Sequence, residues 1–345
     1  MGIAHPADRR PMSAMAPAFD EVRSRPADAL VAWARRNAWN LGLFGLLAVL
    51  LVYTRLINSN YGVSGIQALA ISVLPLAFAA VAQAICVIAG GIDLSIGSMM
   101  ALTSVVAASQ MEGRSEELGV AIVLATLVLG LALGAINGTV IVATRVPDIV
   151  VTLAMAFVWG GSALLVLRTP EGGSALWLKE LVLGSAGIEW IPKAAVVLLV
   201  VVAVIWIPLR RSTLGLSMYA IGSNQLAAFR SGVSVGRTKI LAYAFTGLFA
   251  ALAGLSLTAS TGIGNPVPGP YTLMSVAAVV LGGVSLAGGR GGVLGPILAV
   301  LILQLIQIDM AFMSLDPNLA LVSQGLILIG VVMFGSLIQW RRSRR

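Results

Sequence analysis

The most chemically informative stretch of this sequence is Gly90-Gly91-Ile92-Asp93-Leu94-Ser95-Ile96-Gly97-Ser98, which interrupts two long apolar runs. A carboxylate within membrane depth is costly, so Asp93 should face protein, water or a partner. One interpretation is structural: Ser95 and Ser98 cap the following helix, and Asp93 lies near the N-terminus, where the helix dipole favours negative charge. The functional interpretation is that Gly91, Asp93 and Ser95 shape a translocation pathway or its gate.

A second polar segment, Pro147–Leu153, opens another long apolar run. Pro147 and Asp148 are favourable first-turn residues, and they favour a plain helix start. The hydroxyl of Thr152, one turn later, either bonds back to the helix or faces a cavity. Thr152 therefore joins Gly91, Asp93 and Ser95 as a candidate pathway or gate residue.

A third candidate is the basic segment 209–239, which contains no acid. Within it, Gln225–Ser231 has helix-favouring residues between Gly222 and Gly232, and this pattern predicts a short surface helix with a glycine stop. Membrane spans need only a few residues to turn, so a loop of this length has two interpretations. It is either a docking surface or a solvated connector.

The residues needed for catalysis in this chain are scarce. Cys86 is the only cysteine and His5 the only histidine, which excludes an internal disulfide and argues strongly against a histidine–cysteine metal site or a Ser-His-Asp triad. There is no GxxxxGK[ST] phosphate loop, and no paired carboxylates are visible. We therefore expect no catalytic residue, no metal ligand and no cofactor bound to this chain.

Glycine is abundant, at 38 residues, and two glycine patterns have a packing interpretation. The series Gly130, Gly134, Gly138 predicts a stripe of close helix approach. The break formed by Gly282–Ser285 and Gly288–Gly292 lacks the GxGxxG spacing of a phosphate cradle. It is also better explained by close approach of helices.

The composition requires a bilayer as part of the solvent. Hydrophobic residues make up 58% of the chain, charged residues 10%, and the mean hydropathy is +0.97. A soluble domain carries roughly 25% charged residues and could not cover this much apolar surface. The net charge of +8 is then explained by basic residues flanking membrane spans, rather than by nucleic acid.

The hydrophobic pattern predicts an all-α polytopic membrane protein of about ten transmembrane helices, with a range of 8–10. Pro75 can split or kink the second span, and the eighth and ninth are short, so they form two full spans or two half-spans. The ten stretches are 40–57, 66–89, 95–110, 119–143, 149–168, 193–208, 240–261, 272–287, 292–308 and 318–338.

The charge distribution predicts that both termini are cytoplasmic. If every stretch crosses, 17 of the 22 Lys and Arg fall on the inside, in agreement with the positive-inside rule. The predicted domains are a largely disordered cytoplasmic tail (1–39), a transmembrane domain (40–338) containing the cytoplasmic loop 209–239, and a basic cytoplasmic C-terminus (339–345).

Five segments, in one order, resemble the permease subunits of ribose-type (simple-sugar) ABC importers, in the branched-chain amino acid/ribose permease superfamily. Gly90–Ser98 is similar to the motif GGIDLSVGS, and Gly222–Gly232 is similar to GxNxxAAxxSG. Pro147–Leu153, Gly269–Thr272 and Leu281–Gly291 resemble the P-x-x-IVTL, GYTL and GG-x-S-x-x-GGRG segments. The resemblance covers roughly residues 40–338.

This resemblance implies a homo- or heterodimer of permeases in a bacterial inner membrane, with ATPase subunits that carry ATP-Mg and a periplasmic sugar-binding protein. It implies that 224–232 is the coupling helix that docks on the ATPase, although Gln225 and Leu226 stand where many relatives have an acid. The implied coupling residues are Gly222, Asn224, Ala227, Ala228, Arg230, Ser231 and Gly232. The solute stays open among pentoses, hexoses, deoxysugars, autoinducer-2-like molecules and nucleosides.

Two other functional classes compete with this interpretation. A self-contained secondary transporter needs carboxylates in its spans that handle ions or protons, and Asp93 is the only strong candidate. A membrane enzyme is disfavoured by the scarcity of histidine, cysteine and paired acids.

Overall fold

A computed structural model describes residues 37–267 and 269–316, together with single positions between 319 and 333. The predicted tail up to residue 36, most of the predicted span 318–338 and the basic C-terminus 339–345 lie outside the described residues. The domain boundaries at these ends therefore stay predictions.

The described part of the chain is helical, apart from one small antiparallel hairpin of strands β1 (Ser185–Ala186) and β2 (Ile188–Pro192). The helices are α1 (Ala38–Ile57), α2 (Val63–Ile88), α3 (Ile96–Met111), α4 (Glu116–Thr144), α5 (Asp148–Val166), α6 (Leu176–Val182), α7 (Lys193–Arg211), α8 (Thr213–Ser223), α9 (Gln225–Arg230), α10 (Val235–Thr261), α11 (Tyr271–Leu281) and α12 (Leu294–Phe312).

Seven of the described helices are long and apolar enough to cross a membrane: α1, α2, α4, α5, α7, α10 and α12. The polytopic α-helical class is confirmed, while ten spans and the orientation of the termini stay predictions. Helix α11 has only 11 residues and so rises roughly 16 Å, about half of the ~30 Å hydrocarbon core. Of the pair predicted over 272–308, only α12 has the length of a span.

Two local features differ from what the pattern suggested. Of the two alternatives for Pro75, the split is wrong, because α2 runs without a break over 26 residues with Pro75 inside it. The segment 209–239 is mostly helical rather than a loop, since α7 runs to Arg211 and α8 follows at once. The hydroxyl of Ser212 accepts a hydrogen bond from the backbone N of Gly215 at 3.1 Å and so caps the start of α8.

Helices α2 and α10 form the centre of the protein, and most of their side chains are buried. Helix α10 packs closely on α4 along the predicted glycine stripe. A Cβ at Gly134 would collide with the carbonyl oxygen of Tyr243, and one at Gly138 would lie 2.8 Å from the Cα of Ile240. The packing prediction for this stripe is confirmed, because only glycine lets these two backbones approach so closely.

We expect Gly134→Ala to destabilise the protein, because its new Cβ meets the backbone of α10. Overpacking of this kind costs about 1–3 kcal/mol. The measurement is the apparent melting temperature of the detergent-solubilised full chain. Gly45→Ala is the matched control, since it also lies inside a helix and its Cβ has nothing within 4 Å. Equal melting temperatures for the two variants would contradict the close approach of α4 and α10.

Candidate functional site

The connection between α2 and α3 is a break in the helical backbone, and several of its backbone polar groups are hydrogen-bonded inside the protein. Gly90 adopts a left-handed φ of +83°, and the backbone N of Gly91 donates to the carbonyl of Cys86 at 3.0 Å. The backbone N of Leu94 donates to Oγ1 of Thr152 on α5 at 3.1 Å. The Thr152 hydroxyl also lies 2.9 Å from the Asp148 carbonyl and 3.2 Å from that of Ile92. Thr152 thus ties α5 to the break.

Asp93 lies at the centre of this break and is fully buried. Its Oδ1 accepts from the backbone N of Ser95 at 2.8 Å and from the Ser95 hydroxyl at 2.6 Å. Asp93 itself therefore accepts the hydrogen bonds at the start of α3, and it does so in place of the Ser95 and Ser98 caps of the structural interpretation. Ser95 occupies the N-cap position without a side-chain cap bond, since its hydroxyl is engaged with Asp93. The other oxygen, Oδ2, is buried without a hydrogen-bond partner among the described residues.

The hydrogen bonds of Asp93 continue through two further helices. The Asn137 side chain on α4 donates from Nδ2 to the Ser95 hydroxyl at 2.7 Å. Asn137 Oδ1 in turn accepts from Nε1 of Trp159 on α5 at 3.1 Å. Asn137 is fully buried, and a buried amide that is paired on both sides fixes the relative position of the elements that carry its partners. Sequence reasoning did not place Asn137 or Trp159 at the site.

A second polar cluster lies beside the first and contains an ion pair. Asp148, the first residue of α5, accepts from Nζ of Lys239 at 3.0 and 3.1 Å and from the Tyr243 hydroxyl at 2.9 Å. The predicted helix start at Asp148 is correct, and the contact with α10 adds to it. Gly91 makes room for this cluster, because a Cβ there would lie 2.5 Å from Tyr243 Oη and 2.6 Å from Asp148 Oδ2.

A junction of glycines joins the break to the last turn of α8 and to the connection between α11 and α12. The Ile88 carbonyl at the end of α2 accepts from the backbone N of Gly289 at 3.0 Å. A Cβ at Gly222 would collide with this same carbonyl, and one at Gly288 would lie 3.0 Å from the Cα of Gly90. Only residues without a Cβ permit three backbone segments to meet this closely. The glycine-dense break is thus a site of close backbone approach, as the sequence predicts.

The short helix α9 projects from this junction and is largely exposed. Asn224 caps it, since its Oδ1 accepts from the backbone N of Ala227 at 2.9 Å, and Gly232 ends the turn with a φ of +85°. The predicted surface helix with a glycine stop is confirmed. Ala228 is buried, whereas two large apolar side chains point outward, Leu226 with 60% and Phe229 with 66% exposure. The flanking Arg230 and Ser231 are also exposed.

The structure therefore groups the predicted site residues into two sets. Gly91, Asp93, Ser95 and Thr152 lie together at the break, and Asn224–Gly232 forms the exposed helix with its glycine stop. Gly222 connects the two sets. These residues include no nucleophile–base pair, and the break that they form contains a buried carboxylate.

Comparison with known proteins identifies the family. Residues 65–332 match the family described as branched-chain amino acid transport system / permease component. The chain is 31% identical to the ribose import permease protein RbsC of Escherichia coli (strain K12), over 74% of this chain and 81% of the relative. It is 30% identical to the autoinducer 2 import system permease protein LsrD of Yersinia enterocolitica, over 90% and 98% of the two chains. No solved structure matches this chain.

We expect Asp93→Leu to destabilise the protein more than Asp93→Asn. Leucine leaves the backbone N and the hydroxyl of Ser95 without their acceptor, which costs about 1–3 kcal/mol for each unsatisfied buried group. Asparagine keeps an acceptor oxygen at the same place. The apparent melting temperature of the solubilised chain measures the difference, and equal values for the two variants would contradict the assigned hydrogen bonds.

Proposed function

This chain belongs to the branched-chain amino acid transport system / permease component family, and from that premise we propose that it forms the translocation pathway of an ATP-binding-cassette importer for a sugar or sugar-like solute. The observation that carries the proposal is the similarity to import permeases over most of the chain. The names of these relatives specify ribose, fructose and autoinducer 2 as the imported solutes. All three are small polar solutes, which lipid alone does not admit.

The partners in this proposal are an ATPase subunit, a periplasmic solute-binding protein and a second permease subunit, either a copy of this chain or a related one. ATP and Mg²⁺ are bound by the ATPase. The chain lies in a bacterial inner membrane with ten spans and both termini in the cytoplasm, as the distribution of basic residues supports.

Helix α9 is the surface that docks on the ATPase. Its two exposed apolar side chains, Leu226 and Phe229, are three positions apart and so lie on one face of the helix. Apolar anchors flanked by a basic residue, here Arg230, are typical of a helix that inserts into a groove of a partner. The proposed coupling residues are those of the sequence prediction, and Leu226 and Phe229 are added as anchors.

The glycine junction provides the route from this surface to the break. Gly222 lies two residues before Asn224, the N-cap of α9. Its backbone is in direct contact with the Ile88 carbonyl. A displacement of α9 therefore shifts the backbone that leads into Gly91 and Asp93. ATP-driven motion of the partner would open and close the pathway in this way, by alternating access.

One observation favours the competing function of a secondary transporter. Asp93 is buried, and its Oδ2 is without a hydrogen-bond partner among the described residues. A carrier driven by protons or ions places such a carboxylate along its pathway. Secondary transport requires that the chain works without an ATPase, and this requirement separates the two functions.

We expect the double variant Leu226→Ser, Phe229→Ser to lose association with the ATPase and ATP-driven uptake, while still inserting into the membrane. Loss of two apolar anchors should weaken association at least about tenfold. Co-purification of the ATPase with the tagged permease measures this loss.

Leu176→Ser is the matched control, because Leu176 is 62% exposed on a different short helix, α6. It should leave association with the ATPase unchanged. If the double variant still co-purified with the ATPase at the level of this control, α9 would not be the docking surface.

A further inference from the structure

Helix α5 packs mainly on α3, and little of its surface is buried. Most of its large apolar side chains are exposed, among them Phe157 with 76% and Leu165 with 88% exposure. Helix α10, in contrast, is mostly buried in the centre. A helix with little buried surface depends more on its individual polar anchors for its position.

The N-terminus of α5 carries an anchor to α10. Nζ of Lys239 lies 3.0 Å from Asp148 Oδ1, and the Tyr243 hydroxyl donates to Asp148 Oδ2 at 2.9 Å. The side chains of Lys239 and Asp148 are only 15% and 14% exposed. Solvent therefore screens this pair less than it screens an ion pair on the surface.

The local structure of each helix does not explain the ion pair. Asp148 at the start of α5 is already favoured by the dipole of that helix without any cation nearby. Lys239 lies near the N-terminus of α10. The helix dipole does not stabilise a positive charge at that terminus. The ion pair therefore stabilises the contact between the two helices, in addition to any effect of each charge within its own helix.

The ion pair is also close to α9 along the chain. Helix α9 ends at Arg230, α10 begins at Val235, and Lys239 is one turn into α10. On the other side, Asp148 Oδ2 and Tyr243 Oη pack against Gly91 in the break. A tilt at the start of α10 would therefore change the distance from Lys239 to Asp148 before it changed the packing of the buried middle of the helix.

We propose that Asp148, Lys239 and Tyr243 form a latch, which holds the start of α5 against α10 in one conformation of the transport cycle and opens when α9 is displaced. Lys239 and Tyr243 are then positioning residues, since they act on the pathway through α5 and the break. The trigger by α9 rests on the proposed function, whereas the latch contact itself does not.

The chain contains its own reporter for this latch. Cys86 is the only cysteine of the protein and is fully buried. It packs in one small cluster with Tyr243 and Val151, and a Cβ at Gly91 would lie 3.1 Å from its sulfur. Release of α5 from α10 would expose this cluster, so the rate at which N-ethylmaleimide alkylates Cys86 reports the opening.

The first experiment compares alkylation rates for the full-length chain in isolated membranes without partners. Lys239→Gln should raise the rate about tenfold, equivalent to about 1.4 kcal/mol in the opening equilibrium. Lys239→Arg keeps the charge and should stay near the wild-type rate. Lys193→Gln is the matched control, because this lysine begins α7, away from the latch, and its Nζ donates to the Glu180 carbonyl.

The latch would be supported if Lys239→Gln raised the alkylation rate of Cys86 while its melting temperature stayed equal to that of Lys193→Gln. An unchanged rate would overturn it. A rise only in proportion to a lowered melting temperature would also overturn it, because it would indicate a merely structural contact.

The second experiment tests the trigger in the assembled importer. A non-hydrolysable ATP analogue should raise the alkylation rate of wild-type Cys86 towards that of Lys239→Gln and should change the variant little. If the analogue bound without altering the wild-type rate, the trigger would be wrong. If no ATPase associated with the chain, the proposed function would fail, while the result in membranes without partners would still decide the latch.

Discussion

The structure depends on one constraint: a backbone that leaves the helical conformation away from water must find its hydrogen-bond partners inside the protein. The break between α2 and α3 meets this constraint with partners from several parts of the chain. Asp93 accepts from the backbone N of Ser95, Thr152 of α5 accepts from that of Leu94, and the backbone N of Gly289 donates to the Ile88 carbonyl. A helical connection through this point would have required none of these contacts.

Because its partners come from different helices, the break is also the point where the elements of the protein meet. Asn137 and Trp159 join α4 and α5 to it, and the glycine junction joins it to the segment before α9. The two kinds of contact have different consequences. Polar pairs can separate and form again at modest cost, whereas backbone segments in contact through glycines move together. In the proposed mechanism, a displacement of α9 is passed on through the glycines and released at the polar pairs.

The sequence predicted the features that depend on local patterns. It identified the membrane class, the polar break at Gly90–Ser98, the packing stripe on α4 and the short helix after Asn224, because hydropathy, glycine spacing and capping residues are local signals. It did not predict the contacts of Asn137 with Ser95 or of Lys239 with Asp148. These residues are 42 and 91 positions apart, and single polar residues carry no signal for a distant partner. The extent of α8 was also missed, and the choice between a full span and a half-span for α11 stayed open, since the apolar pattern does not fix where a helix ends.

The central claim, that this chain is the pathway of an ATP-driven importer, is tested most directly by uptake into proteoliposomes. Labelled ribose, fructose and autoinducer 2 would be offered to the purified chain alone, and to the chain with the ATPase and binding protein encoded by neighbouring reading frames. The account predicts uptake of at least one solute only when ATP and both partners are present. Uptake by the chain alone, driven by a proton or sodium gradient, would contradict the account and would instead assign the buried Asp93 carboxylate to a secondary transporter.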